Sequence, residues 1–161
     1  MMLVAFSASA ASAATTINPA NAPTGTHLQT GTIGCTVAGL VVSCSSFELA
    51  GVGNTDAEAT LVATYSATVD CRNNGGKIVP VKAQVTGAES STGTIEAKNG
   101  RLLVPTLSSA PAPTDEEFEA SAVCPNGNWT AETRPGTVAL DSFTYELTFD
   151  GFAAPYITVT G

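Results

Sequence analysis

The stretch Thr60 to Cys71, TLVATYSATVDC, alternates along its whole length and ends in a cysteine on its apolar side. Leu61, Ala63, Tyr65, Ala67, Val69 and Cys71 fall on one face, and Thr64, Ser66, Thr68 and Asp70 on the other. That period of two is the mark of a half-buried β-strand, so Cys71 points inward. A second cysteine, Cys124, closes the small-residue run Ser121-Ala122-Val123-Cys124, which reads as a short strand. Turn-forming clusters follow both cysteines, Arg72-Asn73-Asn74-Gly75-Gly76 and Pro125-Asn126-Gly127-Asn128. The expectation is two core strands joined by a Cys71–Cys124 disulfide.

The rest of the chain fits that beginning. Of 161 residues, 43% are hydrophobic and only 12% charged, which suits one all-β domain with many turns. A mature chain of about 145 residues buries roughly two thirds of its unfolded surface and is able to fold around one core. A net charge of -8 with six Lys and Arg gives no basic patch for nucleic acid or anionic membrane.

At the N-terminus, residues 1–14 read as a signal peptide truncated at its start: an apolar run, the A-x-A site Ala11-Ser12-Ala13, and no basic segment ahead of them. The apolar run is well short of the about 20 residues that span a bilayer, so no membrane anchor is expected. Residues 15–26, rich in Pro, Asn and Gly, read as a flexible leader, and residues 27–161 as the domain. Thr30 to Cys35 and Leu40 to Phe47 read as strands. A two-residue turn at Gly39-Leu40 sets Val37 opposite Val42 and Cys35 opposite Cys44, in a non-hydrogen-bonded pair close enough for a cross-strand disulfide. Cys35–Cys44 and Cys71–Cys124 are therefore the pairings expected among the three that four cysteines allow.

Further along, Lys77 to Thr86 is a strand that Pro80 confines to an edge or shortens to a start at Val81. Asn99-Gly100 predicts a type I′ hairpin over Gly93 to Val104, pairing Ile95 with Val104. Thr114 with Glu117 forms a capping box, and Asp115, Glu116 and Glu117 favour a helix of one or two turns. Trp129 to Arg134, Thr137 to Phe149 and Tyr156 to Thr160 complete about nine strands. The expected fold is an all-β, two-sheet antiparallel sandwich, Ig-like in general shape, with one short helix.

The runs Cys71-Arg72-Asn73-Asn74-Gly75-Gly76-Lys77 and Cys124-Pro125-Asn126-Gly127-Asn128-Trp129-Thr130-Ala131, with Ser46-Phe47 and the strands from Phe143 to Thr160, resemble a group of small secreted actinobacterial proteins. The resemblance implies secretion and a disulfide-tied β domain, and carries no catalytic or binding residue. Asn128-Trp129-Thr130 also fits the N-glycosylation pattern, which a bacterial chain leaves unused.

Catalytic patterns are sparse. The sole histidine, His27, lies beside the leader, so Ser-His-Asp and Cys-His mechanisms have no base. The cysteines lack C-x-x-C spacing, and an oxidising compartment favours disulfides over zinc. A carboxylate hydrolase would need two of the scattered acids to meet across a cleft. Asn54, Asp56 and Glu58 recur at every second position as calcium ligands do, but without the Gly and terminal Glu of an EF-hand, and turn chemistry explains the first two more simply. No cofactor is expected. Trp129 is the one platform candidate, although its parity with Ala131 and Thr133 places it in the core. Phe152, Pro155 and Tyr156 form the alternative, an exposed aromatic patch before the last strand. The sequence thus points to a secreted, non-catalytic binding or structural module for a cell-wall polymer, a glycan or another extracellular protein. A protease inhibitor presenting Arg72 to Lys77 or Pro125 to Asn128 as a braced loop is the second reading, and a small hydrolase the third.

Overall fold

The computed structural model describes residues 13–161, so the expected signal peptide lies outside the described residues except for its last two. The organising strand is β6, Ala57–Arg72, sixteen residues long. Its apolar parity is realised in full: Leu61, Ala63, Tyr65, Ala67, Val69 and Cys71 are all buried. Both edges of β6 are taken. On one lie β12 (Ala139–Phe149), against Ala57 to Ser66, and β11 (Thr130–Thr133), against Val69 to Arg72. On the other lie β8 (Ser90–Ile95), against Ala57 to Leu61, and β7 (Ile78–Thr86), against Thr64 to Arg72.

Where two partners meet, side chains and loops complete the ladder, because a buried main-chain group left without a bond is costly. Thr137 Oγ1 accepts from Thr68 N at 3.1 Å and Arg134 N donates to Thr68 O at 2.8 Å, which bridges the step from β12 to β11. On the opposite edge Thr92 Oγ1 accepts from Ala59 N at 3.0 Å, and Gly87 N donates to Ala63 O at 2.8 Å. The sheet is extended beyond β12 by β13 (Ile157–Thr160) and β1 (Ala14–Ile17), giving seven antiparallel strands.

Against this sheet the other layer of the sandwich is divided in two. One three-stranded sheet joins β2 (His27–Gly31), β5 (Phe47–Ala50) and β9 (Arg101–Val104). The other joins β3 (Cys35–Ala38), β4 (Val41–Cys44) and β10 (Leu107–Ser108). Phe47, Leu49, Leu102, Val104 and Val42 from the small sheets meet Tyr65, Phe143, Tyr145, Leu147 and Phe149 from the large one in a single core. Each fully buried side chain of this size contributes roughly 1.5–3 kcal/mol. Helix α1, Asp115–Ser121, starts at the expected capping box: Thr114 Oγ1 accepts from Glu117 N, and Glu117 Oε2 from Thr114 N at 2.7 Å. It buries Phe118 and is tied to β11, with Thr133 N donating to Glu119 Oε1 at 2.8 Å.

Several expectations need correction. The leader is structured: β1 pairs with β13 from Ala14↔Thr160 to Ile17↔Ile157, Pro19–Asn21 forms a 3-10 turn, and Ala22 is buried. Asn18 holds the join, its side chain accepting from Ala20 N and its own N–H donating to Tyr156 O at 2.8 Å. The strand expected over Thr30 to Cys35 is broken at Thr32–Gly34, so that β2 and β3 join different sheets. Leu40 to Phe47 divides in the same way into β4 and β5. The Asn99-Gly100 turn forms, with φ of 53° and 75°, and Lys98 pairs with Arg101. Its arms then separate, β8 pairing with β6 and β9 with β5, so Ile95 does not face Val104. Ser121 to Cys124 is not a strand; α1 runs to Ser121 and an unpaired segment follows, with Val123 85% exposed. By contrast, β7 is the edge strand that Pro80 allows: it begins at Ile78, without shortening, and bonds only to β6.

Candidate functional site

The β3–β4 hairpin has the register that its turn dictates. Gly39 takes φ 61°, and the pairs Ala38↔Val41, Val37↔Val42, Thr36↔Ser43 and Cys35↔Cys44 follow outward. Cys35 and Cys44 are bonded with their Cα atoms 4.0 Å apart, the close approach of a non-hydrogen-bonded pair. Cys44 and its β10 partner Leu107 are buried, so that face of the sheet looks into the core. By alternation the next row, Thr36–Ser43–Ser108, looks outward across three strands. Together with Thr32, Ser45 and Thr106, past the Cys35–Cys44–Leu107 end of the strands, this row and the two cysteines line an open cleft of about 510 Å3.

Among the described residues six with hydroxyl groups line the cleft, and no Asp, Glu, His, Lys or Arg does. Ser45 Oγ is committed to the protein, donating to Thr32 O and to Gly34 O. Thr36 Oγ1 reaches Ser43 O at 3.5 Å, a weak bond. The exposed lining is mostly apolar, with neutral hydroxyl donors and acceptors set among the carbon and sulfur surface. Among the described residues this lining presents hydrogen-bonding groups without charge and no side chain that transfers a proton near pH 7. Residue-by-residue reading missed it because serine and threonine are abundant throughout and these six come from separate segments. The only signal was the hairpin register, which fixes which hydroxyls share a face.

The residues singled out by sequence lie elsewhere. Trp129 is half-buried, outside the core, in the turn before β11, where its main-chain N–H donates to Asn126 O at 3.3 Å. It is neither the core residue expected from parity nor a fully presented platform. Tyr156 is buried and Phe152 half-buried, both packed on Phe149 with ring centroids 5.6 and 6.4 Å away. The expected exposed aromatic patch is thus turned inward. Asp56 Oδ1 accepts from Ala97 N at 2.8 Å and Glu58 Oε1 from Ser91 Oγ at 2.6 Å, so both carboxylates of the calcium candidate serve the β8 connection. Among the described residues no three His, Cys, Asp or Glu side chains gather as a metal site. His27 is exposed, and among the described residues its ring bonds only to Gly25 O, two residues away.

One carboxylate does gather partners. Asp141 sits at the bulge where β12 slips against β6 between Leu140 and Ser142. It accepts from Ser66 Oγ at 2.7 Å and Gln84 Nε2 at 3.0 Å, with Lys82 Nζ 3.8 Å away. The Ser66 hydrogen bond is the largest cause holding its carboxyl below the usual range, aided by Gln84 and Lys82 and opposed by desolvation. All its partners come from neighbouring strands, and it satisfies the otherwise buried Ser66 hydroxyl, a role in the sheet.

The second disulfide, Cys71–Cys124, fastens the end of β6 to the segment after α1, with Cα atoms 5.7 Å apart. It places two loops side by side. Asn73 Oδ1 accepts from Gly75 N and Lys77 N at 3.0 and 2.8 Å, and Asn126 Oδ1 from Asn128 N at 3.0 Å. Lys77 has its main chain fully occupied, since its carbonyl also accepts from Asn73 N. Comparison with known protein families, characterised proteins and solved structures yields no match to this chain.

Proposed function

We propose that the chain is a secreted, non-catalytic binding module whose hydroxyl-lined cleft beside Cys35–Cys44 receives a neutral polyhydroxylated ligand, a stretch of cell-wall or extracellular glycan. The observation that carries this reading is the lining itself, six serines and threonines with no titratable side chain. A ligand of that kind exchanges water for hydroxyl partners at little desolvation cost, whereas an ionic ligand would find no counter-charge. The two disulfides and the absence, among the described residues, of a helix long and apolar enough to cross a membrane support an extracellular setting.

The test is co-sedimentation of the protein with purified cell walls and insoluble polysaccharides, beside a Ser43→Trp variant. Ser43 is exposed in the centre of its sheet, so an indole there fills the cleft without entering the core. Retention of the parent chain with at least about tenfold weaker retention of the variant is expected. Equal retention of both places the contact elsewhere, and failure of the parent chain to bind any of these polymers removes the glycan reading.

A further inference from the structure

We infer that the cleft selects an N-acetylated amino sugar, a 2-acetamido unit of the glycan, over the same sugar carrying a hydroxyl or an ammonium group at that carbon; this rests on the glycan reading above. Among the described residues no aromatic side chain lines the cleft, so the broad apolar platform that a bare sugar ring would rest on is missing. What the lining supplies instead is small and mixed. The sulfurs of Cys35–Cys44 and the methyl groups of Thr32, Thr36 and Thr106 make up its apolar part. A single methyl group of a ligand matches surfaces of that size, and burying one is worth about a fourfold gain in affinity.

The polar part suits an amide. Among the described residues the hydroxyls of Thr32, Ser43, Thr106 and Ser108 make no hydrogen bond to the protein, and Ser43 and Ser108 face each other on adjacent strands. Main-chain groups join them at Cys35. Ser45 N donates to Gly34 O at 3.0 Å and Thr36 pairs with Ser43, so Cys35, between those two bonded pairs, turns its N–H and C=O away from β4 to the open edge of β3. Hydroxyls that both donate and accept, with a free main-chain donor and acceptor on a residue of the same lining, complement the N–H and C=O of an acetamido group. Charge decides against the other substituents. An ammonium would give up water without finding a carboxylate, and a uronate or sulfate without finding a cation, because no charged side chain lines the cleft among the described residues.

The probes are β-1,4-linked tetramers of N-acetylglucosamine, glucose and glucosamine, which differ only in the group at carbon 2, titrated into the full chain by calorimetry at about pH 6, where the amine is charged. The acetamido tetramer should bind at least about tenfold more tightly than either of the others. Long-range attraction to a molecule of net charge -8 favours glucosamine, so net charge does not produce that order. The double substitution Thr36→Ser and Thr106→Ser removes two methyl groups at exposed positions and should reduce the preference, a ratio measured within one protein, at least about fourfold. Equal binding of the three tetramers, tighter binding of the glucose or glucosamine form, or a preference that survives the double substitution overturns the inference and leaves the glycan reading standing. So does failure of all three tetramers while purified cell walls or polysaccharides still retain the chain. Failure of tetramers and polymers together removes the glycan reading as well.

Discussion

The two disulfides hold opposite kinds of region. Cys35–Cys44 joins residues 9 apart, across a hairpin whose register the Gly39 turn already sets. Cys71–Cys124 joins residues 53 apart, and binds the central strand to a segment with no strand partner of its own. The first reinforces what main-chain hydrogen bonds have fixed; the second supplies a connection that nothing else makes at that point. The short bridge accordingly flanks a neutral cleft, while the long one immobilises two exposed loops. A crosslink contributes most where the backbone contributes least.

Breaking each bridge separately tests that contrast. The pair Cys71→Ala and Cys124→Ala should cost about 4 kcal/mol in urea denaturation, the chain-entropy value for so long a loop. The pair Cys35→Ala and Cys44→Ala should cost about 2.5 kcal/mol on the same basis. If the second loss equals or exceeds the first, the hairpin depends on its disulfide more than its register implies.

The smallest effect sharpens the comparison within the core. Tyr65 and Tyr145 are both about 1% exposed, but Tyr65 Oη donates to Leu40 O at 3.0 Å whereas Tyr145 Oη has no partner among the described residues. Tyr65→Phe should therefore destabilise by about 1 kcal/mol, and Tyr145→Phe should be neutral or stabilising. Burial pushes the Tyr145 hydroxyl from 10.0 up to about 12. A raised folded-state value means that the unfolded chain releases its proton first, so stability falls as pH rises from 10 to about 12. At about 1.4 kcal/mol per unit the loss is some 2–3 kcal/mol, and the phenylalanine variant should lack it in alkaline denaturation curves. A parallel loss in the variant would assign the alkaline transition to other groups.

How much of this was legible depends on whether a residue's neighbours leave a mark on its sequence. Alternation located β6 and β12 because each has one buried and one solvated face. Turn geometry gave the Cys35–Cys44 register, since two residues leave the hairpin no slack. β1 could not be read that way: all four of its residues are exposed, so no period exists, and its place is set by the edge of β13. The Asn99-Gly100 turn was readable, but the destination of its arms was not, because Ile95 and Val104 bury equally well against different sheets. Ser121-Ala122-Val123-Cys124 misled because its small residues suit a helix end as well as a strand. The cleft was hidden for a different reason, its hydroxyls being brought together by the β3–β4 hairpin, the segments beside it and β10.

The full occupancy of both edges of β6 has a consequence for how the chain comes to this state. Its β7 and β8 neighbours follow within about two dozen residues, but β11 and β12 arrive only after α1, at Thr130 and Ala139. Until they do, one side of a sixteen-residue strand presents an open ladder to any chain nearby. Folding is therefore governed by late, long-range closure and is slow for a domain of this size. Its critical hazard is a partly finished sheet meeting another copy, so dilution should favour the native fold during refolding more than added stability does.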